Sequence, residues 1–123
     1  MDTPLDRITI HDLTTRTFVG FNPWEREKMQ EVRISVSLYA DLSEACRSDR
    51  VEDSVDYKAV KTRILALVEN NRFDLIEKMA QDIAEVCLAI PRVERADVIV
   101  NKGGALRFAR SVEAAITRFR CHD

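Results

Sequence analysis

No stretch of this 123-residue chain approaches the roughly 18 consecutive apolar residues that a membrane-crossing helix needs. The first residues, Met1-Asp-Thr-Pro-Leu-Asp-Arg7, lack the basic segment and apolar run of a secretory signal. Neither sign of charge dominates: 19 basic side chains face 21 acidic ones, for a net charge of -2. That balance argues against a general nucleic-acid binder, which carries a basic excess, but leaves room for a local basic patch. Cysteine is sparse and unpatterned. Cys46, Cys87 and Cys121 form no C-x-x-C pair and no Cys/His cluster of zinc-site spacing, so no metal is expected, and three free thiols suit a reducing cytoplasm. Internal repeats and low-complexity segments are absent as well.

What remains is an ordinary globular composition, 46% hydrophobic and 33% charged, in a length that holds one domain spanning residues 1–123. Leu5 to Leu13 reads as a strand, with Ile8 and Ile10 on one face and Arg7, Thr9 and His11 on the other. Thr14 to Val19 is also β-prone, and Gly20 punctuates it. Phe21 to Met29, containing Pro23 and Trp24, fits neither period and reads as a polar loop. Glu31 to Tyr39 alternates cleanly, setting Val32, Ile34, Val36 and Leu38 against Arg33, Ser35, Ser37 and Tyr39. Asp41 to Asp56 is mostly loop, with a short helical turn at Glu44 to Arg47.

Asp56 is placed to cap a helix that opens at Tyr57 and carries Val60, Ile64, Leu67 and Val68 at helical spacing. After Asn70-Asn71 a second stripe follows: Ile76, Met79, Ile83, Val86, Cys87 and Ile90, ended by Pro91. Asp74 reads as its N-cap, and Glu77, three residues on, as the reciprocal member of a capping box. Arg95 to Asn101 and Ser111 to Phe119 are the last two strands, interrupted by Lys102-Gly103-Gly104. Two strands, two helices and two strands predict an α+β fold, a four-stranded antiparallel sheet with both helices on one face. The other face, with Ser35, Ser37, Tyr39, Ser111, Glu113 and Thr117, is semi-polar, and free sheet edges invite pairing with another subunit.

Four positions are candidates for chemistry, each with a plainer reading beside it. Lys102, next to two glycines that let a ligand approach, is either a partly desolvated base or an exposed hairpin lysine. Tyr57 could move a proton or simply pack at the helix start. Glu25 is either a site carboxylate or one of many solvated loop carboxylates. Glu77 either closes a capping box or grips a ligand carrying adjacent N–H donors. Arg72, Arg107 and Arg110 suit phosphate oxygens or solvent equally. His11 and His122 are given no role.

The Gly20-Phe-Asn-Pro-Trp-Glu25 loop, the Val55-Asp-Tyr57 step, Leu75-Ile-Glu77-Lys and the Asn101-Lys102 strand end occur in a telling order. Over about Ile8 to Phe119 the chain resembles the dihydroneopterin aldolase family. Val68-Glu-Asn-Asn-Arg-Phe73 and Ala105-Leu-Arg-Phe-Ala109 are similar to its epimerase branch. Gly103 stands where aldolases carry proline, while Trp24 before Glu25 is similar to the aldolases.

The resemblance implies the tunnelling fold: subunits joined in tetrameric rings, commonly stacked as an octamer, with active sites between neighbours. It implies a small-molecule pterin substrate held through its N–H donors by Glu77, assisted by backbone near Ile76. Lys102 would act as general base, Tyr57 would move a proton and Glu25 would position Lys102 or a water. No cofactor is implied, because the dihydropterin C6=N5 imine itself accepts the electrons of the breaking C1'–C2' bond. An aldolase releases the glycolaldehyde fragment, whereas an epimerase re-adds it on the opposite face and inverts C2'. A non-catalytic binder of pterin- or purine-like rings on the same fold is the competing reading.

Overall fold

The computed structural model describes residues 5–104 and 106–121; Met1–Pro4, Ala105, His122 and Asp123 lie outside the described residues. Strand β1 (Asp6–Val19) runs into helix α1 (Pro23–Glu27), then β2 (Gln30–Ala40) and α2 (Ser43–Ser48). A single 3-10 turn at Val51–Asp53 leads to α3 (Tyr57–Glu69), the two-residue strand β3 (Arg72–Phe73) and α4 (Ile76–Leu88). Strands β4 (Arg95–Gly103) and β5 (Ser111–Phe119) complete the chain. The sheet order is β3-β1-β2-β4-β5.

Four of these strands pair antiparallel, as the periodicity predicts. The fifth does not: β3 pairs parallel with the end of β1, so the sheet is five-stranded and mixed. Two residues carry too little alternation to read as a strand, which is why β3 is invisible in the sequence. Beside the two long helices, α3 and α4, the described residues form two short ones, α1 and α2. Residues 21–29 are thus not all loop. Asn22 precedes Pro23 at the first helical position and Glu25 three residues on, a start signal that suffices for one helical turn.

β1 is one strand with a bulge, not two segments. Ile10 faces Val36 and Leu13 faces Ile34, so His11 and Asp12 together oppose Ser35. Asp12 takes a left-handed φ of 52° and its N–H donates to Ser35 Oγ. The extra residue shifts the alternation. Ile8 and Ile10 pack on the core before it, Thr17 and Val19 after it.

The core fills the space between the sheet and the two long helices. Val32, Ile34, Val36 and Leu38 of β2 and Ala96, Val98 and Val100 of β4 are buried against Val60, Ile64 and Val68 of α3 and Met79, Ile83 and Cys87 of α4. Asp56 caps α3 through the Ala59 N–H at 3.1 Å, as its position predicts. The opposite face of the sheet is polar: Thr9 bonds Ser37, and Tyr39, Arg95 and Thr117 converge on Asp97.

Thr17 ties the end of β1 to the end of α3, its hydroxyl donating to the Val68 carbonyl at 2.7 Å inside the core. Thr17→Val keeps the shape and removes the donor. It should lower stability by about 2 kcal/mol, measured by urea denaturation, because a buried carbonyl is left unpaired.

Candidate active site

Period two along β4 puts Lys102 in the row Ala96, Val98, Val100, facing the helices. The strand continues through Gly103, so Lys102 is not a hairpin residue; it extends a buried row with a charge. That charge is matched. Lys102 Nζ lies 2.5 Å from Glu25 Oε2, and the two residues are 7% and 3% exposed.

Glu25 is seated by everything around it. Its Oε1 accepts from the Asn22 backbone N–H at 3.3 Å and from Asn22 Nδ2 at 2.9 Å. Its Oε2 accepts from Lys102 and, at 3.4 Å, from Gln30 Nε2, which also donates to the Val19 carbonyl at 2.7 Å. Gly20 has a φ of +123°, and a Cβ there would collide with the Glu25 carboxylate. Glycine at this position therefore serves both the turn and the seat. Burial works against the carboxylate charge, but the hydrogen bonds from Lys102, Asn22 and Gln30 and the Lys102 charge outweigh it. The Glu25 carboxyl consequently sits below its ordinary value of 4.5.

The start of α4 differs from the expected capping box. The N-cap position is Leu75, with no side-chain cap, and Asp74 pairs instead with Arg26 at 3.0 Å. Glu77 is exposed in the first turn, and its side chain makes no hydrogen bond or ion pair among the described residues. The box forms in α1, where Asn22 and Glu25 engage each other. Glu77 is thus spared for another partner, at a helix end that favours negative charge. Ile76, beside it, is half-buried against the core. The Gly20 N–H donates to the Phe73 carbonyl, which brings the loop of Glu25 against the segment leading to α4.

Tyr57 is not part of this gathering. It is half-exposed at the start of α3, while the other end of α3 meets Thr17 beside the site. A 13-residue helix is about 20 Å long, so Tyr57 and the ion pair stand at opposite ends of the subunit. The three arginines do not converge within one chain either. Arg72, on β3, stacks on Phe18 with its guanidinium carbon 3.9 Å from the ring centre and donates to the Arg26 carbonyl. Arg107 and Arg110 lie in the β4–β5 connection, with β1 and β2 between these strands and β3 in the sheet. Arg107 stacks on Phe108, and Arg110 lines a concavity of about 560 Å³ on the polar sheet face with Arg33, Asn101 and Glu113.

Asn22 and Gln30 were not among the candidates read from sequence, yet both hold Glu25. Asn22-Pro23-Trp24-Glu25 carried a cap signal that could have found the first. Gln30 sits one residue before the clean alternation of β2, with no signal of its own. Among the described residues no cluster of His, Cys, Asp and Glu could hold a metal ion, and no helix is long and apolar enough to cross a membrane.

The family profile described as "FolB: Dihydroneopterin aldolase" matches residues 8–117. The dihydroneopterin triphosphate 2'-epimerase of Pseudomonas aeruginosa is 35% identical over 114 residues, 93% of each chain. The dihydroneopterin aldolase of Methylorubrum extorquens is 40% identical over 101 residues, covering 81% of this chain and 78% of that one. The crystal structure of Escherichia coli dihydroneopterin aldolase in complex with neopterin superposes with a TM-score of 0.84 at 28% identity, over 92% of this chain and 98% of that one.

The depressed Glu25 carboxyl has a pH signature. A carboxyl lowered on folding adds stability that is complete above its unfolded value, near 4.3, and lost as pH falls through the folded one. Glu25→Gln should therefore cost about 3 kcal/mol at pH 7, where a buried charge loses its partner. The gap to the parent protein should narrow as pH drops below about 4, read from denaturant midpoints across the pH range.

Proposed function

The chain belongs to the dihydroneopterin aldolase family, and from that premise we propose that it epimerises the 2' carbon of dihydroneopterin triphosphate, giving dihydromonapterin triphosphate. The observation that carries this reading is the buried Glu25–Lys102 pair, because a charge at the end of an apolar row needs a use. The likeness to the Pseudomonas aeruginosa epimerase over nearly the whole chain supports the branch.

In this reading the uncapped start of α4 receives the pterin. Glu77 accepts two N–H donors, from the 2-amino group and N3, in a planar charge-assisted contact, and backbone near Ile76 assists. Lys102 then faces the 2'-hydroxyl, directly or through a water. The 2.5 Å contact lets a proton pass between Lys102 and Glu25 without either residue moving. With its proton given to Glu25, the neutral amine takes the hydroxyl proton. The C1'–C2' bond breaks, its electron pair moves through C6 to N5, and C2' leaves as an aldehyde. Rotation of the held aldehyde and re-addition inverts C2', and the pair returns its proton to the new alkoxide.

Tyr57 handles the proton on the side chain or at the reacting carbon, and its distance along α3 means that a second copy must supply it. We therefore place the site between subunits of a homo-oligomer, tetrameric rings paired as an octamer. Among the described residues, the outer side of β1 ahead of Phe18 and the outer side of β5 have no strand partner, and these are the surfaces available to close such a ring. Edge-to-edge joining also offers a way for Arg72 of one subunit to approach Arg107 and Arg110 of another around the triphosphate. The three unpaired cysteines suit the reducing cytoplasm, where we place the enzyme.

A second activity is favoured by the 40% identity to the Methylorubrum extorquens aldolase. On unphosphorylated dihydroneopterin, release of the aldehyde before re-addition, with protonation at C1', yields 6-hydroxymethyl-dihydropterin and glycolaldehyde.

Incubation with dihydroneopterin and with its triphosphate, followed by product analysis, tests the reading. The expected result is a 2' stereoisomer of the triphosphate; glycolaldehyde as the main product transfers the reading to the aldolase, and neither product rejects it. Lys102→Ala should lower turnover by about 100-fold or more while sparing pterin binding. Glu77→Gln should weaken pterin binding by roughly 10- to 100-fold and lower stability by no more than about 0.5 kcal/mol, the share of its charge at the helix start, since Glu77 caps nothing.

A further inference from the structure

Among the side chains that touch the ion pair, Gln30 does something that packing alone does not require. Its amide nitrogen donates to the Val19 carbonyl at 2.7 Å. A carbonyl only accepts, so this bond fixes which end of the amide is nitrogen. The second N–H then points at Glu25 Oε2, at 3.4 Å. That is the oxygen that receives Lys102 at 2.5 Å, whereas Asn22 holds only Oε1. The two carboxylate oxygens thus have different surroundings: Oε1 is occupied by the start of α1, and Oε2 is shared between the lysine and Gln30.

We propose that Gln30 is a positioning residue that sets how tightly Glu25 holds the Lys102 proton, and with it the pH at which the pair can act as a base. This rests on the pterin chemistry proposed above. A donor on Oε2 draws on the same lone pairs that meet Lys102, so it weakens the carboxylate as a proton acceptor. Gln30 is among the groups that hold the Glu25 carboxyl below its ordinary value, after Lys102 and Asn22. The other charged groups beside Glu25 are Arg26 of α1 and, from the β3–α4 segment, Arg72 and Asp74. Arg26 and Asp74 pair with each other at 3.0 Å, and Arg72 is stacked on Phe18. That leaves Gln30 well placed to tune Oε2.

The test compares the pH dependence of kcat/KM for the parent protein, Gln30→Met and Gln30→Glu on dihydroneopterin triphosphate. In parallel, the Glu25 carboxyl is titrated by 13C NMR without substrate. Gln30→Glu sets a second carboxylate against Oε2 and should raise the Glu25 value and the acid limb by about one unit or more. Gln30→Met, which only removes the donor, should raise both by less. KM should change little, because pterin binding is assigned to Glu77. Acid limbs and Glu25 titrations that superimpose, with only thermal stability lowered, would reduce Gln30 to a bridge between β1 and β2 and overturn the inference. If the parent protein turns over neither pterin, the proposed activity fails, but the Glu25 titration still decides. An upward shift in the variants upholds the role of Gln30, and identical titrations reject it.

Discussion

The hydrogen-bonded ion pair between Glu25 and Lys102 is the constraint on which the rest of the site depends. Two charges are removed from water at the end of a row that is otherwise alanine and valine. Such a pair adds little stability over apolar side chains of the same size, although breaking it by removing one partner is costly. Its neighbours are arranged to keep it: Gly20 has no Cβ, Asn22 and Gln30 donate to the carboxylate, and α1 exists for a single turn that carries Glu25. A device this expensive makes sense where proton transfer is the task.

The same economy shapes the helix layer. α4 begins without a side-chain cap, and the acidic residue best placed to supply one, Asp74, is spent on Arg26. Glu77 is left with its charge and no partner among the described residues. α3 in turn carries Tyr57 to the far end of the subunit. In the reading proposed, one chain holds the pterin-binding carboxylate and the base, and a second chain completes the site. The bulge at His11–Asp12 matters to this layout, because it puts Thr17 and Val19 on the core side where β1 reaches the site.

Much of this was legible in the sequence. Alternation in β2 and helical spacing in α3 and α4 predicted the core almost residue by residue, and Asp56 caps α3 as its position predicts. Motif order led to Glu25, Tyr57, Glu77 and Lys102 and to the family. What the sequence concealed has physical reasons. β3 is too short to show a period, and a bulge hides a change of phase inside one strand. Two competing cap signals stood in the chain, Asn22–Glu25 and Asp74–Glu77, and only tertiary contacts decide between them. Beside Gly103 and Gly104, Lys102 reads as an interruption, although it is in phase with Ala96, Val98 and Val100; a lysine in a buried row is itself the signal. Gln30 acts through a carbonyl and a carboxylate brought together by folding, which no local pattern encodes.

The central claim is that the pair takes the 2'-hydroxyl proton and that C2' is inverted by breaking and remaking the C1'–C2' bond. Turnover of dihydroneopterin triphosphate in deuterium oxide tests it most directly. Retro-aldol cleavage leaves the C2' hydrogen on the aldehyde throughout, so the inverted product should carry no deuterium at C2'. Deuterium at C2' would show that the carbon itself is deprotonated and would contradict the account, as would the absence of any turnover.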